Sequence, residues 1–325
     1  MNDRITNEPS SDGVDRRGFL KCMAWAGTGM VWAVSGGILG CSRVDQQDDK
    51  DRTADNAAAA ASFTFVQVSD SHLGFSREPN RDVAETYRLA IDKINNLEPR
   101  PAFVLHTGDL THLAKVEEFD AVDQLHRTIR TGPVYAVPGE HDLEGKEPRR
   151  FMERYGQGAV SGGLGWRSLD YQGVHFVGLN NCMALREGSL GLLGQEQLAW
   201  LQRDLAGKGD STPIVVFAHV PLWSVYPQWN WGTQDSAQAM ELLARFGSVT
   251  VLNGHIHQIL QKVEGKVTFH SARSTAFPQP EPGRAPTAGP IRDLPAGRLR
   301  SMLGVTKVTY VERNSTLAIT DDTLG

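Results

Sequence analysis

Five short clusters of carboxylates and imidazoles recur along the chain: Asp70-Ser71-His72, Gly108-Asp109, Gly139-Glu140-His141-Asp142, Ala218-His219 and Gly254-His255-Ile256-His257. Each follows a run of β-forming residues, so each is expected where a buried strand ends. Ionisable groups in such a place are costly unless something neutralises them, and a shared metal cluster is the usual partner. Mixed carboxylate and imidazole donors suit Mn, Fe, Zn or Ni rather than Ca or Mg. In extended chain, residues i and i+2 face the same side, which would bring Asp70 toward His72 and His255 toward His257. The glycines before Asp109, Glu140 and His255 are expected to let the backbone turn sharply toward a common point.

The elements that must position these residues follow from apolar periodicity. Strands are expected over Phe63–Ser69, Ala102–His106, Val134–Val137, Ile214–Ala218 and Val249–Leu252, each running into one of the clusters. Helical spacing marks Ala84–Leu97, Val116–Ile129, Gln195–Leu205 and Ser236–Phe246. Trp166–Leu179 reads as two strands joined at Gln172-Gly173, and the last third is strand-rich around a Pro/Gly loop from Pro278 to Gly297. Strands alternating with helices, with the chemistry at strand C-termini, indicate an α/β layered sheet.

Composition narrows the partners. The chain has 325 residues and a net charge of −5, without a basic stripe, which argues against a nucleic-acid partner and leaves a small phosphate compound open. Its three cysteines form no C-x-x-C pair, so a zinc ribbon or thioredoxin-like site is unsupported.

The N-terminus reads as an export segment. Arg16-Arg17-Gly18-Phe19-Leu20-Lys21, preceded by Asp15, resembles a twin-arginine signal, and the glycine-interrupted apolar run to Leu39 suits a signal better than a permanent span, its competing reading. Ile38-Leu39-Gly40-Cys41 resembles a lipobox, in which Cys41 would carry a lipid anchor; Leu39 is bulkier than that pattern usually has, and simple cleavage is the alternative. The expected organisation is a signal over 1–41, a disordered polar and Ala-rich tether over 42–62, and a catalytic domain over 63–325. This places the protein in the periplasm or otherwise outside the cytoplasm, with the twin-arginine machinery as a partner.

The order and spacing of the five clusters, from about Phe65 to His257, resemble the calcineurin-like metallophosphoesterases, whose pattern runs D-x-H, G-D, G-N-H-D/E, H, G-H-x-H. Asp70-Ser71-His72-Leu73 is most similar to the branch containing cyclic-nucleotide phosphodiesterases. The resemblance implies a four-layer αββα sandwich with two central mixed β-sheets and a two-metal site. Asp70, His72 and His257 would bind the first ion, His219, His255 and position 140 the second, and Asp109 would bridge them. It implies a phosphomono- or phosphodiesterase in which two cations, about 3.5–4 Å apart, clamp the phosphoryl group and activate a bridging water. His141 would contact the phosphate and act as general acid.

Glu140 departs from that pattern, which has a neutral Asn there. As a ligand it would add a third carboxylate, damp the positive field and favour a more highly charged ion such as Fe(III). Turned away, it would leave the second ion under-coordinated, and the chain could then be a metal-binding or assembly protein that retained the fold. Twin-arginine systems carry folded proteins, so Fe or Mn could be loaded before export, sheltered from tighter-binding Cu and Zn.

The remaining histidines (His106, His112, His126, His175 and His270) are expected to be structural, with His112 close enough to Asp109 in sequence to support the ligands. Trp223, Tyr226, Trp229 and Trp231 follow His219 and would wall a substrate pocket, pack a loop onto the core or form a dimer contact. The Pro278–Gly297 loop would either cover the site or stay disordered.

Overall fold

Strand β1 (Ser62–Val68) shows how the layers arise. Phe63 and Phe65 face one side, Val66 and Val68 the other, and all four are buried. A strand apolar on both faces needs cover on both. Phe63 and Phe65 join Phe176, Phe217 and Leu252 in a cluster drawn from both sheets, while Val66 and Val68 join Tyr87, Ile91, Phe119 and Val122 from helices.

The structure is a computed structural model that describes residues 62–143, 148–156, 164–185, 189–312 and 316–325. The export segment, Cys41 and the tether as far as residue 61 lie outside the described residues. Ser62, expected to end the tether, instead opens β1.

Beside β1 the first sheet holds β2 (Val104–His106), β3 (Val134–Ala136), β10 (Gly304–Val311) and β11 (Thr316–Thr323), in the order β11-β10-β1-β2-β3. The second holds β4 (Arg167–Tyr171), β5 (Val174–Leu179), β6 (Ile214–Ala218), β7 (Val249–Asn253), β8 (Gln261–Glu264) and β9 (Val267–Ser271), in the order β4-β5-β6-β7-β9-β8. Both are mixed. β1, β2 and β3 run parallel, as do β5, β6, β7 and β9, with antiparallel strands at the margins. In β6, Val215 and Phe217 face the first sheet, while Ile214, Val216 and Ala218 face helices Gln195–Ala206 and Ser236–Leu243. The order helix, sheet, sheet, helix is the expected αββα sandwich.

Helix Val83–Asn95 starts at Asp82, whose side chain accepts from the Glu85 N–H at 2.9 Å. It stops short of Leu97, and helix Val116–His126 stops short of Ile129. Both apolar residues still pack on the same core from the turns beyond, so the hydrophobic pattern outruns the helix. A helix over Pro148–Tyr155 was not expected from its charged sequence. It is anchored by buried Phe151, by a 2.7 Å pair between Arg154 and Asp120, and by the Tyr155 hydroxyl donating to Asp123 at 2.6 Å. Among the described residues no helix is long and apolar enough to cross a membrane.

Candidate metal centre

The parallel strands β1, β2, β6 and β7 deliver four of the five clusters at their C-terminal ends, and the fifth follows β3. The side chains converge, but not by the strand alternation that the spacing predicts. Asp70, His72, Asp109, His255 and His257 all lie beyond their strands with φ of 54°, 43°, 54°, 69° and 53°. Non-glycine residues enter this left-handed region at a cost and persist there when their surroundings hold them. Here loop-to-loop hydrogen bonds do so. The Asp70 N–H donates to Gly108 O at 3.0 Å, the His72 N–H to Asp109 O at 2.9 Å, and the His255 N–H to both Asp70 carboxylate oxygens at 3.2 Å.

The glycines also act differently than expected. Gly108 alone of the three has a left-handed φ, 96°. Gly139 and Gly254 serve close approach instead, since a Cβ at Gly139 would collide with Asp109 Oδ1 and one at Gly254 with Ser69 Oγ.

The seven expected ligand residues meet in two groups that share Asp109. In the first, His257 Nε2 lies 3.2 Å from Asp70 Oδ1 and 3.3 Å from His72 Nε2. In the second, the Glu140 carboxylate points inward, with Oε2 2.9 Å from His219 Nε2 and Oε1 3.0 Å from His255 Nδ1. Asp109 Oδ2 stands between them, 3.5 Å from His72 Nε2 and 3.3 Å from His219 Nε2. Asp70–His72–His257 and Glu140–His219–His255 each bring three donor atoms close enough to hold one ion.

Two features fit a cation at each group. His219 Nε2, Glu140 Oε2 and His255 Nε2 are buried without a hydrogen bond, although the first two are only 2.9 Å apart. His219 Nε2 and Glu140 Oε2 meet within the second donor group, to which His255 turns its other ring nitrogen, Nδ1. The outer ring nitrogens are also anchored: His219 Nδ1 donates to Thr107 O at 2.7 Å, and His257 Nδ1 to Phe277 O at 2.6 Å. That leaves their Nε2 atoms facing the site in ligating form.

Without ions the groups lean on one another. Burial alone would raise Asp70, but His257 and His219 outweigh it and hold its carboxyl down to about 2. Glu140 is likewise held well below its ordinary value by His255 and His219 against burial. His219 is pushed well above its ordinary value, since Asp109 and Glu140 overcome burial. His72 falls well below, through burial and the neighbouring imidazoles. Asp142 is pushed up to about 7 by burial and by Asp109, opposed by the N–H groups of Gly139, Thr111 and Leu110 that it accepts. It ties the 139–142 turn to the loop after Asp109.

His141 lines the cavity in front of these groups, its backbone N–H donating to Asp109 Oδ1 at 2.9 Å. Its Nδ1 donates to the carbonyl of His112 at 2.7 Å, and the two rings stack 5.0 Å apart. His112, expected to be structural or supporting, supports: its Nδ1 is 3.4 Å from His72 Nδ1. The other four histidines sit elsewhere in polar pairs, such as His175 between Asp170 and Asp204.

The cavity has a volume of about 250 Å³, and its aromatic wall is Phe75 and Phe277 rather than the tryptophan-rich segment. Trp231 is fully buried and Trp223 packs on Phe269 at 5.0 Å, so that segment is packed loop. The 278–297 loop does reach the cavity, through Gln279, Gly289, Pro290 and Arg292. Phe277, whose carbonyl holds His257 and whose ring stacks on His72 at 4.8 Å, had no sequence signal, because the first contact is made by backbone.

Residues 63–259 match the family described as calcineurin-like phosphoesterase. A probable glycerophosphodiester phosphodiesterase GpdQ of Arcobacter nitrofigilis is 27% identical over 217 residues, 64% of this chain and 77% of that protein. The 3',5'-cyclic adenosine monophosphate phosphodiesterase CpdA of Pseudomonas aeruginosa is 26% identical over 232 residues, 69% of this chain and 80% of its own. Among solved structures, a dimetal phosphatase from Danio rerio superposes with a TM-score of 0.59 at 14% identity, covering 81% of this chain and 96% of that one, a likeness of fold.

Proposed function

The chain belongs to the calcineurin-like phosphoesterase family and is a hydrolase of phosphoester bonds, and on that premise we propose that it cleaves a small phosphomono- or phosphodiester at a two-ion centre with His141 as general acid. The observation that carries this reading is the pair of donor groups sharing Asp109, with His141 in front of both. Asp70, His72 and His257 would hold one ion, Glu140, His219 and His255 the other, and Asp109 both. Bound transition-metal ions, with Fe or Mn favoured over Zn or Ni, would supply neutralisation of phosphoryl charge and a more acidic water. The chain's own part is orientation and proton transfer. The His112 carbonyl holds His141 Nδ1 as a donor, and Nε2 would then be the nitrogen that gives its proton to the leaving oxygen.

Purified, metal-loaded protein should release p-nitrophenol from p-nitrophenyl phosphate or bis(p-nitrophenyl) phosphate. His141→Ala should lower kcat by about 100-fold or more with metal content unchanged. No hydrolysis across a broad panel of mono- and diesters would overturn the reading.

We also propose export by the twin-arginine route to an extracytoplasmic site, with Cys41 either lipidated or removed. Support comes from Arg16-Arg17 and the run to Cys41. Replacing both arginines by lysine should retain the protein in the cytoplasm; unaltered fractionation would count against the route.

A further inference from the structure

Two guanidiniums at the mouth of the metal cavity have no partner of their own. Arg77 comes from the turn after His72 and Arg292 from the 278–297 loop, and both line the cavity that also holds Glu140 and His141. Among the described residues, neither side chain is engaged in an ion pair or hydrogen bond. Their neighbours are: Arg81 holds Glu78 at 2.8 Å, and Arg284 faces Glu281 at 3.7 Å. Glu78 also lines the cavity, and one of its oxygens accepts from Arg81. The carboxylates on the floor are engaged as well, Asp109 with His72 and His219, and Glu140 with His219 and His255.

A lone exposed arginine is commonplace and worth little to stability. Two that line one cavity, neither of them paired with a carboxylate, are positively charged groups open to an anion supplied from outside. Arg292 stands where the metal cavity meets a second space of about 430 Å³ walled by residues 280–292, the two sharing Gly289, Pro290 and Arg292. It lies beyond the family's matched segment, which ends at 259, so the motifs do not account for it.

Resting on the phosphoesterase reading, we propose that Arg77 and Arg292 select a small phosphoester that carries a second anionic group, a carboxylate or another phosphate. The reacting phosphoryl group would occupy the floor, and the second anion would lie at the mouth between the two guanidiniums, whose planar forks match either oxyanion. A space of about 250 Å³ admits a phosphoryl group and a short carbon chain, with longer tails continuing into the second space.

The test is a calorimetric titration of the metal-loaded full chain with 3-phosphonopropionate and with propylphosphonate, which lacks the carboxylate. A third arm uses 1,3-propanediphosphonate, to separate carboxylate from phosphate preference. The native protein should bind at least one of the two probes with an anionic tail about tenfold or more tightly than propylphosphonate. Arg77→Gln and Arg292→Gln should each shrink that ratio, and the double variant should abolish it, with metal content unchanged. No preference in the native protein, or a preference surviving in the double variant, overturns the proposal. Turnover is not read here. A protein that hydrolyses nothing yet shows the arginine-dependent preference leaves this inference standing and overturns only the catalytic reading.

Discussion

Glu140 Oε2 and His219 Nε2 lie 2.9 Å apart, and neither makes a hydrogen bond. Both are buried within one donor group, facing the place where a cation would sit. Glu140 is thereby a candidate ligand of the second donor group. Glu140→Asn withdraws a charge from that group and keeps one carbonyl donor. The expected result is a weaker second ion, by about tenfold, with the first ion unaffected, read by titration of chelator-treated protein. Tighter binding in the variant would show that the carboxylate is not a ligand.

Metal-free protein should lose stability toward alkaline pH. His219 is held above its ordinary value of 6.5, so the stability it contributes is fully present below that pH and is lost as pH rises through its raised value. Asp142, raised from 3.8 to about 7, acts in the same direction at lower pH. Asp70 is held down to about 2, so its contribution is lost only as pH falls below its ordinary 3.8. Thermal melts after chelation should fall steadily above about pH 6.5. Metal-loaded protein should resist this decline, because an ion replaces the proton on His219. A chelated protein whose Tm rises over that range would contradict the assignment.

Gly254→Ala tests close approach rather than backbone freedom. Its φ is not left-handed, yet an added Cβ would collide with Ser69 Oγ and lie 2.7 Å from Asp70 Oδ2. Overpacking of this kind should cost about 1–3 kcal/mol in urea denaturation and reduce metal content through Asp70. Gly207→Ala, which meets nothing within 4 Å, should change stability by less than about 0.5 kcal/mol. Equal behaviour of the two variants would contradict the packing argument.

The layers and the ligand set were legible in the sequence for one physical reason. Strands such as Phe63–Val68 and Ile214–Ala218 are apolar on both faces, and the polar residues that interrupt them must therefore have partners. What was hidden depends on backbone. Asp70 and His72 converge through left-handed φ values that no residue type announces, and Gly139 is required by the nearness of Asp109, a contact across 30 residues. The Phe277 carbonyl that orients His257 is common to every residue type, so nothing in the sequence marks it. Trp231 could be read as pocket wall or as packing because aromatic residues serve cores and pockets alike; its burial puts it in the packing.

The central claim is that seven side chains form one two-ion centre with Asp109 shared. Anomalous diffraction from crystals of the metal-loaded protein, recorded across the absorption edges of Mn, Fe, Ni and Zn, tests it most directly. The account predicts two peaks about 3.5–4 Å apart, one bounded by Asp70, His72 and His257, the other by Glu140, His219 and His255, with an Asp109 oxygen touching both. A single peak, or a second ion that leaves Glu140 uncoordinated, would contradict it.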